Sequence, residues 1–308
     1  MNETRALILG CGYVGGRLAR ALASEGLEVL ATTRTAARAA EIEATGARHT
    51  VADVTEPASL APLVRWGPDV VFDLVKPQAI GPDEYSAWGA RNVAGAFSRQ
   101  PLQALVYLSS TSVYGRRNGE ETDEETPVEP SSPLGRARAA CERVYLELHE
   151  RDALPARICR APGIYGPGRT LRERLETGAY RRVDDDDRWV SRIHVDDLVA
   201  GLIAAWRRGR DGRVYLLADD EPVTSQEYAE LTANLLGLTL PPTTGRADIR
   251  DELNVSQFER RMSSRRCRNR RMHEELGIDL RFPSVREGVP AALIAEGAIT
   301  AETQDGVR

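Results

Sequence analysis

Lysine is almost absent from this chain of 308 residues. Lysine and arginine together number 41, and Lys76 is the only lysine among them. Arginine stays protonated at any pH a protein meets, so it does not exchange a proton near neutrality. Any role that needs a titratable side-chain amine can therefore be filled at one position only.

Cysteine and histidine are also scarce. The four cysteines, Cys11, Cys141, Cys159 and Cys267, are scattered without a C-x-x-C pair. No set of His, Cys, Asp and Glu has the spacing of metal ligands, so we expect no metal site. Unpaired thiols in apolar segments are typical of a cytoplasmic protein.

Long apolar runs are missing as well. No uninterrupted stretch approaches the ~20 residues that a membrane span needs. The start, MNETRALILGCGYVGG, lacks the basic head and long apolar core of a secretory signal. The net charge of -5 gives no indication of nucleic-acid binding. We therefore expect a cytoplasmic protein whose partner is a small molecule, not a membrane or a nucleic acid.

Short apolar runs alternate with amphipathic stretches over the first 160 residues. This alternation predicts an α/β protein with a Rossmann doubly wound parallel sheet. The predicted strands are 5–9, 27–32, 48–51, 69–75, 104–109, 156–160 and 213–218. The predicted helices are 13–25, 35–45, 57–65, 83–99, 133–150, 195–208, 224–236 and 284–296.

Regular periodicity weakens over 166–193 and 239–283, which predicts a smaller C-terminal lobe. We assign 1–165 and 194–238 to the dinucleotide-binding domain, 166–193 and 239–298 to the substrate-binding lobe, and 299–308 to a frayed tail. The acidic run Asp184–Asp187 is predicted to form an exposed turn. Arginines cluster in the lobe, at 169, 172, 174, 181 and 182. They favour an anionic substrate, with a solvated basic face as the alternative.

A glycine fingerprint joins the first strand to the first helix. Gly10, Gly12 and Gly15 form G-x-G-x-x-G directly after strand 5–9. In a dinucleotide site the first glycine allows a tight turn, the second admits the pyrophosphate and the third lets the helix pack on the sheet. The free N–H groups of the helix then face the phosphates. We therefore predict a dinucleotide cofactor.

The residues at the end of the second strand indicate whether the cofactor's ribose carries a 2′-hydroxyl or a 2′-phosphate. An acidic residue there suits the 2′-hydroxyl of NAD, and an arginine suits the 2′-phosphate of NADP. The chain has Arg34 with flanking threonines and no acid, so we predict NADP, with NAD as second choice. Asp53, after the third strand, is placed to meet the adenine edge.

Four motifs in order resemble the extended short-chain dehydrogenase/reductase superfamily, in its NAD-dependent epimerase/dehydratase group. They are Asn92 on a helix, the serine-rich segment 109–115, the R-x-x-x-x-Y-G-P loop in 160–168, and the block 192–197. The segment 264–288 is similar to an atypical YeeZ-like branch. The resemblance covers roughly residues 5–296 and implies a nicotinamide cofactor and a homodimer formed through helices 83–99 and 133–150.

The resemblance also implies a catalytic set that this chain does not complete. The family uses a Ser or Thr on the fifth strand with a Tyr-x-x-x-Lys on the next helix. Ser110 fits the serine position, but Leu134 stands where the tyrosine is expected and Arg138 where the lysine is expected. Phe72 lies four residues before Lys76, so no Tyr-x-x-x-Lys occurs anywhere in the chain. Arg138 is left as a ligand of the cofactor ribose.

The candidate replacements for the missing proton donor are three side chains and water. Tyr114 lies at the mouth of the fifth strand, Tyr165 lies in the loop after the sixth, and Lys76 follows the fourth. Each also has a plain alternative: packing for the two phenols and a solvated loop for the lysine. The candidate catalytic residues are therefore Ser110, Tyr114, Tyr165 and Lys76. The candidate cofactor-binding residues are Gly10, Gly12, Tyr13, Val14, Gly15, Arg34, Asp53, Ser109, Arg138 and Pro162.

Two functions of different classes remain open at this point. The first is an NADP-dependent oxidoreductase, or an epimerase/dehydratase-like enzyme, acting on a small anionic carbonyl or alcohol. The second is a dinucleotide-binding sensor that has lost hydride chemistry together with the tyrosine.

Overall fold

The computed structural model describes residues 4–184 and 187–301. In chain order the strands are β1 (Arg5–Leu9), β2 (Glu28–Thr33), β3 (Arg48–Val51), β4 (Val70–Asp73), β5 (Gln78–Gly81), β6 (Glu84–Ser86), β7 (Ala104–Ser110), β8 (Glu121–Thr122), β9 (Ala156–Ala161), β10 (Gly163–Tyr165), β11 (Arg182–Val183), β12 (Trp189–Val190), β13 (Arg192–His194), β14 (Val214–Leu216), β15 (Val223–Thr224), β16 (Thr243–Thr244) and β17 (Arg266–Cys267). The α-helices are α1 (Tyr13–Ser24), α2 (Ala39–Glu43), α3 (Pro57–Trp66), α4 (Trp88–Phe97), α5 (Pro133–Asp152), α6 (Arg172–Glu176), α7 (Val195–Arg208), α8 (Ser225–Leu235), α9 (Arg246–Glu252), α10 (Val255–Met262), α11 (Arg270–Glu274) and α12 (Val285–Ala295).

Seven of these strands form one parallel sheet in the order β14-β9-β7-β4-β1-β2-β3. The chain moves outward from β1 to β3, then returns past β1 and continues from β4 to β14. That reversal is the doubly wound Rossmann topology, and ligands bind at the carboxyl ends of the strands where it occurs. The predicted fold class is confirmed.

The sheet is buried on both faces, which explains its nearly continuous apolar strands. On one face α1 and α7 pack through Leu18, Leu22 and Leu202. On the other face α3, α4 and α5 pack through a second cluster that includes Phe97 and Tyr145. The predicted helices over these regions therefore form because each has an apolar stripe to bury.

A third apolar cluster holds the C-terminal lobe together. It joins β10, α8 and α12 through Tyr165, Tyr228 and Val289. The packing differs at two elements from the domain boundaries expected above. Helix α8 packs with the lobe, and Met272 of α11 packs with the first face of the Rossmann sheet. The order of the elements along the chain does not predict this packing, because α8 and α11 are positioned by apolar contacts with residues far away in sequence.

Several predicted elements need correction. The helix expected at 83–99 begins only at Trp88, because 84–86 pairs antiparallel with 78–81 in a hairpin. Asp83 turns that hairpin with φ +55°, a conformation that no helix contains. The helix expected at 35–45 divides into a 3-10 turn, Ala36–Arg38, and α2. The segment 239–283 contains three α-helices, α9 to α11, where irregular chain was expected.

The two remaining segment predictions fall partly outside the described residues. Asp184 and Asp187 are exposed, whereas Asp185 and Asp186 lie outside the described residues. Of the tail expected to fray, Ile299 packs against the third apolar cluster, and residues 302–308 lie outside the described part of the chain.

Candidate active site

The glycine loop after β1 has the geometry that a dinucleotide requires. Gly10 has φ +87°, which a residue with a side chain rarely adopts. A Cβ on Gly15 would lie 2.6 Å from the Gly10 carbonyl oxygen, so α1 packs there only because the residue is glycine. A Cβ on Gly12 would meet no atom within 4 Å, so its backbone faces open space. The loop leaves room for a pyrophosphate over Gly12.

The loop is held in place by the end of β2. The Gly10 N–H donates to Thr32 Oγ1 at 3.0 Å, and the Cys11 N–H donates to the Thr32 carbonyl at 2.9 Å. From the other side, Arg38 Nη1 donates to the Cys11 carbonyl at 2.7 Å. Sequence reasoning missed Arg38, since nothing local shows that it reaches back across 27 positions to the glycine loop.

The ribose end of the cleft contains Arg34 and Asp53. Arg34 is exposed directly after β2. Asp53 accepts hydrogen bonds from the Thr55 N–H and Oγ1; these bonds, with a smaller contribution from the charge of Arg34, lower the pKa of its carboxyl. Asn92 Nδ2 donates to the carbonyls of Val54 and Thr55 and so fixes this loop. Arg34 and Asp53 therefore stand on two neighbouring loops.

Tyr13 links the glycine loop to the substrate side. Its hydroxyl donates to the Pro167 carbonyl at 3.0 Å, and the guanidinium of Arg169 lies 5.3 Å from its ring centre. Val14, the next residue, is buried in the core under α1. Pro162 lies between β9 and β10 and is half-buried. Tyr13 thus joins the first cofactor loop to the loop after β10.

A buried charge network lies behind the end of β7. Arg160 makes a two-pronged ion pair with Glu142, at 2.7 Å for the shortest N–O distance, and both side chains are almost fully buried. Ser109 Oγ donates to the same carboxylate at 2.5 Å. The Ser109 hydroxyl therefore points into the protein interior, and the cofactor contact expected for it is not retained.

Tyr114 belongs to this network too. Arg160 Nη1 donates to Tyr114 Oη at 2.8 Å, and the ring is 1% exposed. Burial raises the pKa of Tyr114 more than Arg160 lowers it, so the phenol stays protonated. Its hydroxyl is enclosed and occupied, and it does not face the cleft in which a substrate would bind.

Tyr165 lies away from the cleft as well. Its hydroxyl donates to the Ser284 carbonyl at 3.2 Å, and its ring packs edge-on against His194 and Tyr228. A Cβ at Gly288 would lie 2.0 Å from that hydroxyl, so α12 packs directly on it. Tyr165 therefore locks the lobe to the core, and the sequence expectation of a proton donor here is not retained.

The two positions equivalent to the family's tyrosine and lysine lie at the start of α5. Ser132 caps this helix by accepting from the Gly135 N–H, and the Leu134 N–H donates to Ser256 Oγ of α10. Arg138, one turn further on, donates to the Leu108 carbonyl at 3.4 Å. Ser110 Oγ accepts from the Ser112 N–H at the carboxyl end of β7. The site thus keeps its serine and a cation, and contains an aliphatic side chain in place of the phenol.

Lys76 is an exposed residue of the loop between β4 and β5. Partial burial lowers the pKa of Lys76, and the charges of Arg138, Arg169 and Arg260 lower it further. Burial lowers the pKa of Arg169, and the charge of Arg260 lowers it further. Within 4–184 and 187–301, none of these four side chains forms an ion pair with an acid. Arg260 was missed by the sequence analysis, because α10 was expected to be irregular chain.

The parallel sheet, the open glycine loop and the serine-bearing strand end define a dinucleotide-binding Rossmann protein of the short-chain dehydrogenase/reductase type. The model of the NAD dependent epimerase/dehydratase family matches residues 6–218, and the chain belongs to this family. Protein YeeZ of Escherichia coli K12 is 26% identical over 286 residues, which cover 91% of this chain and 96% of YeeZ. That match agrees with the YeeZ-like branch expected from the C-terminal motifs.

Two solved structures are similar to this chain over almost its whole length. A functionally unknown conserved protein from Silicibacter pomeroyi has 32% identity and a TM-score of 0.81, covering 95% of this chain and 99% of its own. The dTDP-glucose 4,6-dehydratase DesIV of Streptomyces venezuelae, solved with NAD, has 20% identity and a TM-score of 0.80, covering 94% and 96%. The second likeness shows the fold alone.

No helix in the described part of the chain is long and apolar enough to cross a membrane. No group of three or more His, Cys, Asp or Glu side chains in that part of the chain is arranged to hold a metal ion.

Proposed function

We propose that this protein is an NADP-dependent oxidoreductase, or a related epimerase/dehydratase-like enzyme, acting on a small anionic carbonyl or alcohol. One observation carries the proposal. The charges of Arg138, Arg169 and Arg260 act on Lys76, and the described residues provide no ion pair between any of these four side chains and an acid. The glycine loop leaves room for a pyrophosphate over Gly12. Unpaired cations repel one another, and a bound anion relieves that repulsion.

The proposal assigns a binding or catalytic role to each of the following residues. Gly10, Gly12 and Gly15 would hold the pyrophosphate, and Arg138 would bond the ribose hydroxyls. Ser110 would orient the substrate oxygen. When bound, the dinucleotide supplies or accepts the hydride. Lys76 would exchange the proton, since partial burial and the charges of neighbouring arginines lower its pKa, whereas a guanidinium does not release its proton near neutrality.

The test is a screen of NADPH oxidation with paired aldehydes and ketones, each pair differing only in a phosphate or carboxylate group. We expect turnover with the anionic member of a pair and little with its neutral counterpart. Equal turnover of both members would contradict the anionic substrate, and the oxidoreductase itself would still stand.

Arg34→Ala is expected to weaken NADPH binding about 10- to 100-fold and to leave NADH binding unchanged. A charge-assisted hydrogen bond to a phosphate contributes about 1.5–3 kcal/mol, and about 1.4 kcal/mol is a factor of ten. Calorimetric titration of both cofactors measures it. Arg20→Ala, also exposed but on α1, is the matched control. Equal losses for the two cofactors would refute the assignment of Arg34 to the 2′-phosphate.

Arg260→Ala is expected to weaken the binding of inorganic pyrophosphate to the NADPH-saturated protein about tenfold, as for the loss of one ion-pair contact. Saturation with NADPH blocks the glycine loop, so that only the substrate cleft is probed. The measurement is isothermal calorimetry at two salt concentrations, with exposed Arg65→Ala on α3 as control. Unchanged affinity in Arg260→Ala would exclude this residue from the anion site.

We also propose a homodimer and a cytoplasmic location. Family resemblance assigns the dimer contact to α4 and α5, and Trp88 at the start of α4 is 61% exposed. All four cysteines are free and buried, which suits a reducing compartment. Sedimentation of Trp88→Glu tests the dimer, since a charge in that contact should give a monomer.

The sensor reading stays as a second candidate, because Leu134 cannot donate a proton and both candidate phenols are occupied in the interior. Tight NADPH binding without turnover across the paired screen would favour it. Turnover that depends on Lys76 would favour the enzyme.

A further inference from the structure

A pair of opposite charges lies at the edge of the glycine loop. Arg38 ends the 3-10 turn that follows β2, and Glu41 lies three residues further on, in α2. Arg38 Nη2 and Nε both donate to the Glu41 carboxylate, at 2.6 and 2.9 Å. The two side chains are 40% and 65% exposed, so a ligand can reach both of them.

The same guanidinium holds the glycine loop. Arg38 Nη1 donates to the carbonyl of Cys11, which stands between Gly10 and Gly12, at 2.7 Å. Burial raises the pKa of the Cys11 thiol, the charge of Arg38 lowers it, and the charge of Glu41 raises it. Both charges of the pair therefore act at the loop that fits a pyrophosphate.

Arg38 also lies where the adenosine ribose of a dinucleotide is expected. In a Rossmann fold that ribose binds at the end of the second strand, beside the glycine loop. The two segments are adjacent here, since the Cys11 N–H donates to the Thr32 carbonyl at 2.9 Å. Arg38 follows β2 in the chain and contacts the loop through its guanidinium. A 2′-phosphate on the ribose would therefore come close to Arg38.

Arg38 keeps hydrogen-bond donors for such a phosphate. A guanidinium has five N–H groups. Within the described residues Arg38 uses three of them, two with Glu41 and one with the Cys11 carbonyl. One N–H on each Nη is left for a further acceptor, and an arginine N–H bonds a phosphate oxygen strongly.

Glu41 opposes the binding of a phosphate at this position. The hydrogen bond and the charge of Arg38 lower the pKa of Glu41, so its carboxylate is fully ionised near neutrality. That negative charge repels a phosphate dianion, and it occupies two donors of the guanidinium. A ribose with a 2′-hydroxyl has no charge to be repelled. The side chain of Glu41 therefore acts against NADP and not against NAD.

We propose that the Arg38–Glu41 pair sets the discrimination between NADP and NAD, with Arg38 as a second ligand of the 2′-phosphate beside Arg34 and Glu41 as its competitor. This inference rests on the proposed dependence on NADP. The phosphate accepts from the free N–H groups of Arg38 and competes with Glu41 for the others, whereas the Cys11 carbonyl keeps its bond from Nη1. With NAD the Arg38–Glu41 ion pair stays closed.

The test compares AMP with adenosine 2′,5′-bisphosphate, which differ only in the 2′-phosphate, by calorimetric titration of the whole chain. Glu41→Gln removes the competing charge and keeps the size of the side chain. We expect it to raise the affinity for the bisphosphate about fivefold, as for the loss of an exposed ion pair, and to leave the affinity for AMP unchanged. Glu43→Gln is the matched control, because Glu43 is a similarly exposed acid of α2 whose partner is His49. It should change neither affinity.

Arg38→Met is the second variant. The ratio of the affinity for the bisphosphate to that for AMP should fall about tenfold, since a charge-assisted bond to the phosphate is lost. The affinity for AMP should fall by less, through the loss of the bond to the Cys11 carbonyl. If the pair only supports the glycine loop, Glu41→Gln and Arg38→Met will each lower both affinities equally, and the inference is wrong.

The outcomes separate this inference from the cofactor assignment on which it rests. If the unsubstituted protein prefers the bisphosphate and Glu41→Gln leaves that preference unchanged, the competition is wrong and the NADP assignment stands. If the unsubstituted protein binds both ligands equally and Glu41→Gln prefers the bisphosphate, the competition is right and the NADP assignment is wrong.

Discussion

Lys76→Met is expected to lower kcat about 10²- to 10⁴-fold, the range by which a positioned general acid or base accelerates a reaction. Methionine preserves the length of the side chain and removes both its charge and its proton. Lys76 is the only side-chain amine of the chain, and the phenols of Tyr114 and Tyr165 are held by Arg160 and by the Ser284 carbonyl. Of the three candidate side-chain donors, Lys76 is exposed, whereas Tyr114 and Tyr165 are buried. The rate is measured on whichever anionic carbonyl the paired screen identifies.

Lys76→Arg is the matched control, because it separates charge from proton transfer. A guanidinium keeps the positive charge in the cleft, so KM should return toward that of the unsubstituted protein. Its proton is not released near neutrality, so kcat should stay as low as in Lys76→Met. NADPH affinity, measured separately, should be the same in all three proteins. Full activity of either variant would transfer the proton step to water or to another group.

Glu142→Ala is expected to lower the free energy of unfolding by about 3–5 kcal/mol, since it leaves a buried charge without its partner. Arg160 is 4% exposed and makes three hydrogen bonds to this carboxylate. Burial lowers the pKa of Arg160, but the charge and hydrogen bonds of Glu142 together with Tyr114 raise it above its usual value. A guanidinium does not lose its proton near neutrality, so Arg160 remains charged when the partner is lost. Urea unfolding at pH 7 measures the change.

The double variant Glu142→Leu with Arg160→Met is the control for this prediction. It removes both charges and fills the space with apolar side chains, so much of the lost stability should return. The loss in Glu142→Ala should also exceed that in Glu259→Ala, whose partner Arg116 is half-exposed and screened by solvent. If the double variant is no more stable than Glu142→Ala, the cost lies in packing and not in the unpaired arginine.

Both predictions relate to one face of helix α5. Leu134, Arg138 and Glu142 are spaced four residues apart along α5, so they share one face of it. Glu142 keeps the structural end of that face intact through Arg160. At the start of that face, Leu134 occupies the position at which the family has its catalytic tyrosine. Lys76, in the loop after β4, is close enough for the charge of Arg138 to lower its pKa. The chain therefore retains the family scaffold, and the function proposed above places its proton source on a different element.

The backbone-level features of this protein could be read from its residues. The glycine spacing predicted the loop after β1, because φ +87° at Gly10 and the close contact at Gly15 each require the absence of a side chain. Strand and helix periodicity predicted the seven-stranded sheet, and Leu134 at the expected tyrosine position predicted a site without its usual acid. These are properties of residues close together in sequence, or of spacing along one element.

Side-chain partners and the shape of the cleft needed the folded chain. Tyr114 and Tyr165 read as donors in sequence, yet each hydroxyl found an interior partner far away along the chain. Arg260 joins Lys76 only because α10 packs on the start of α5, where Leu134 donates to Ser256. Burial, hydrogen bonding and charge proximity depend on which distant segments pack together, and packing follows the summed apolar contacts of the whole chain and not any local pattern.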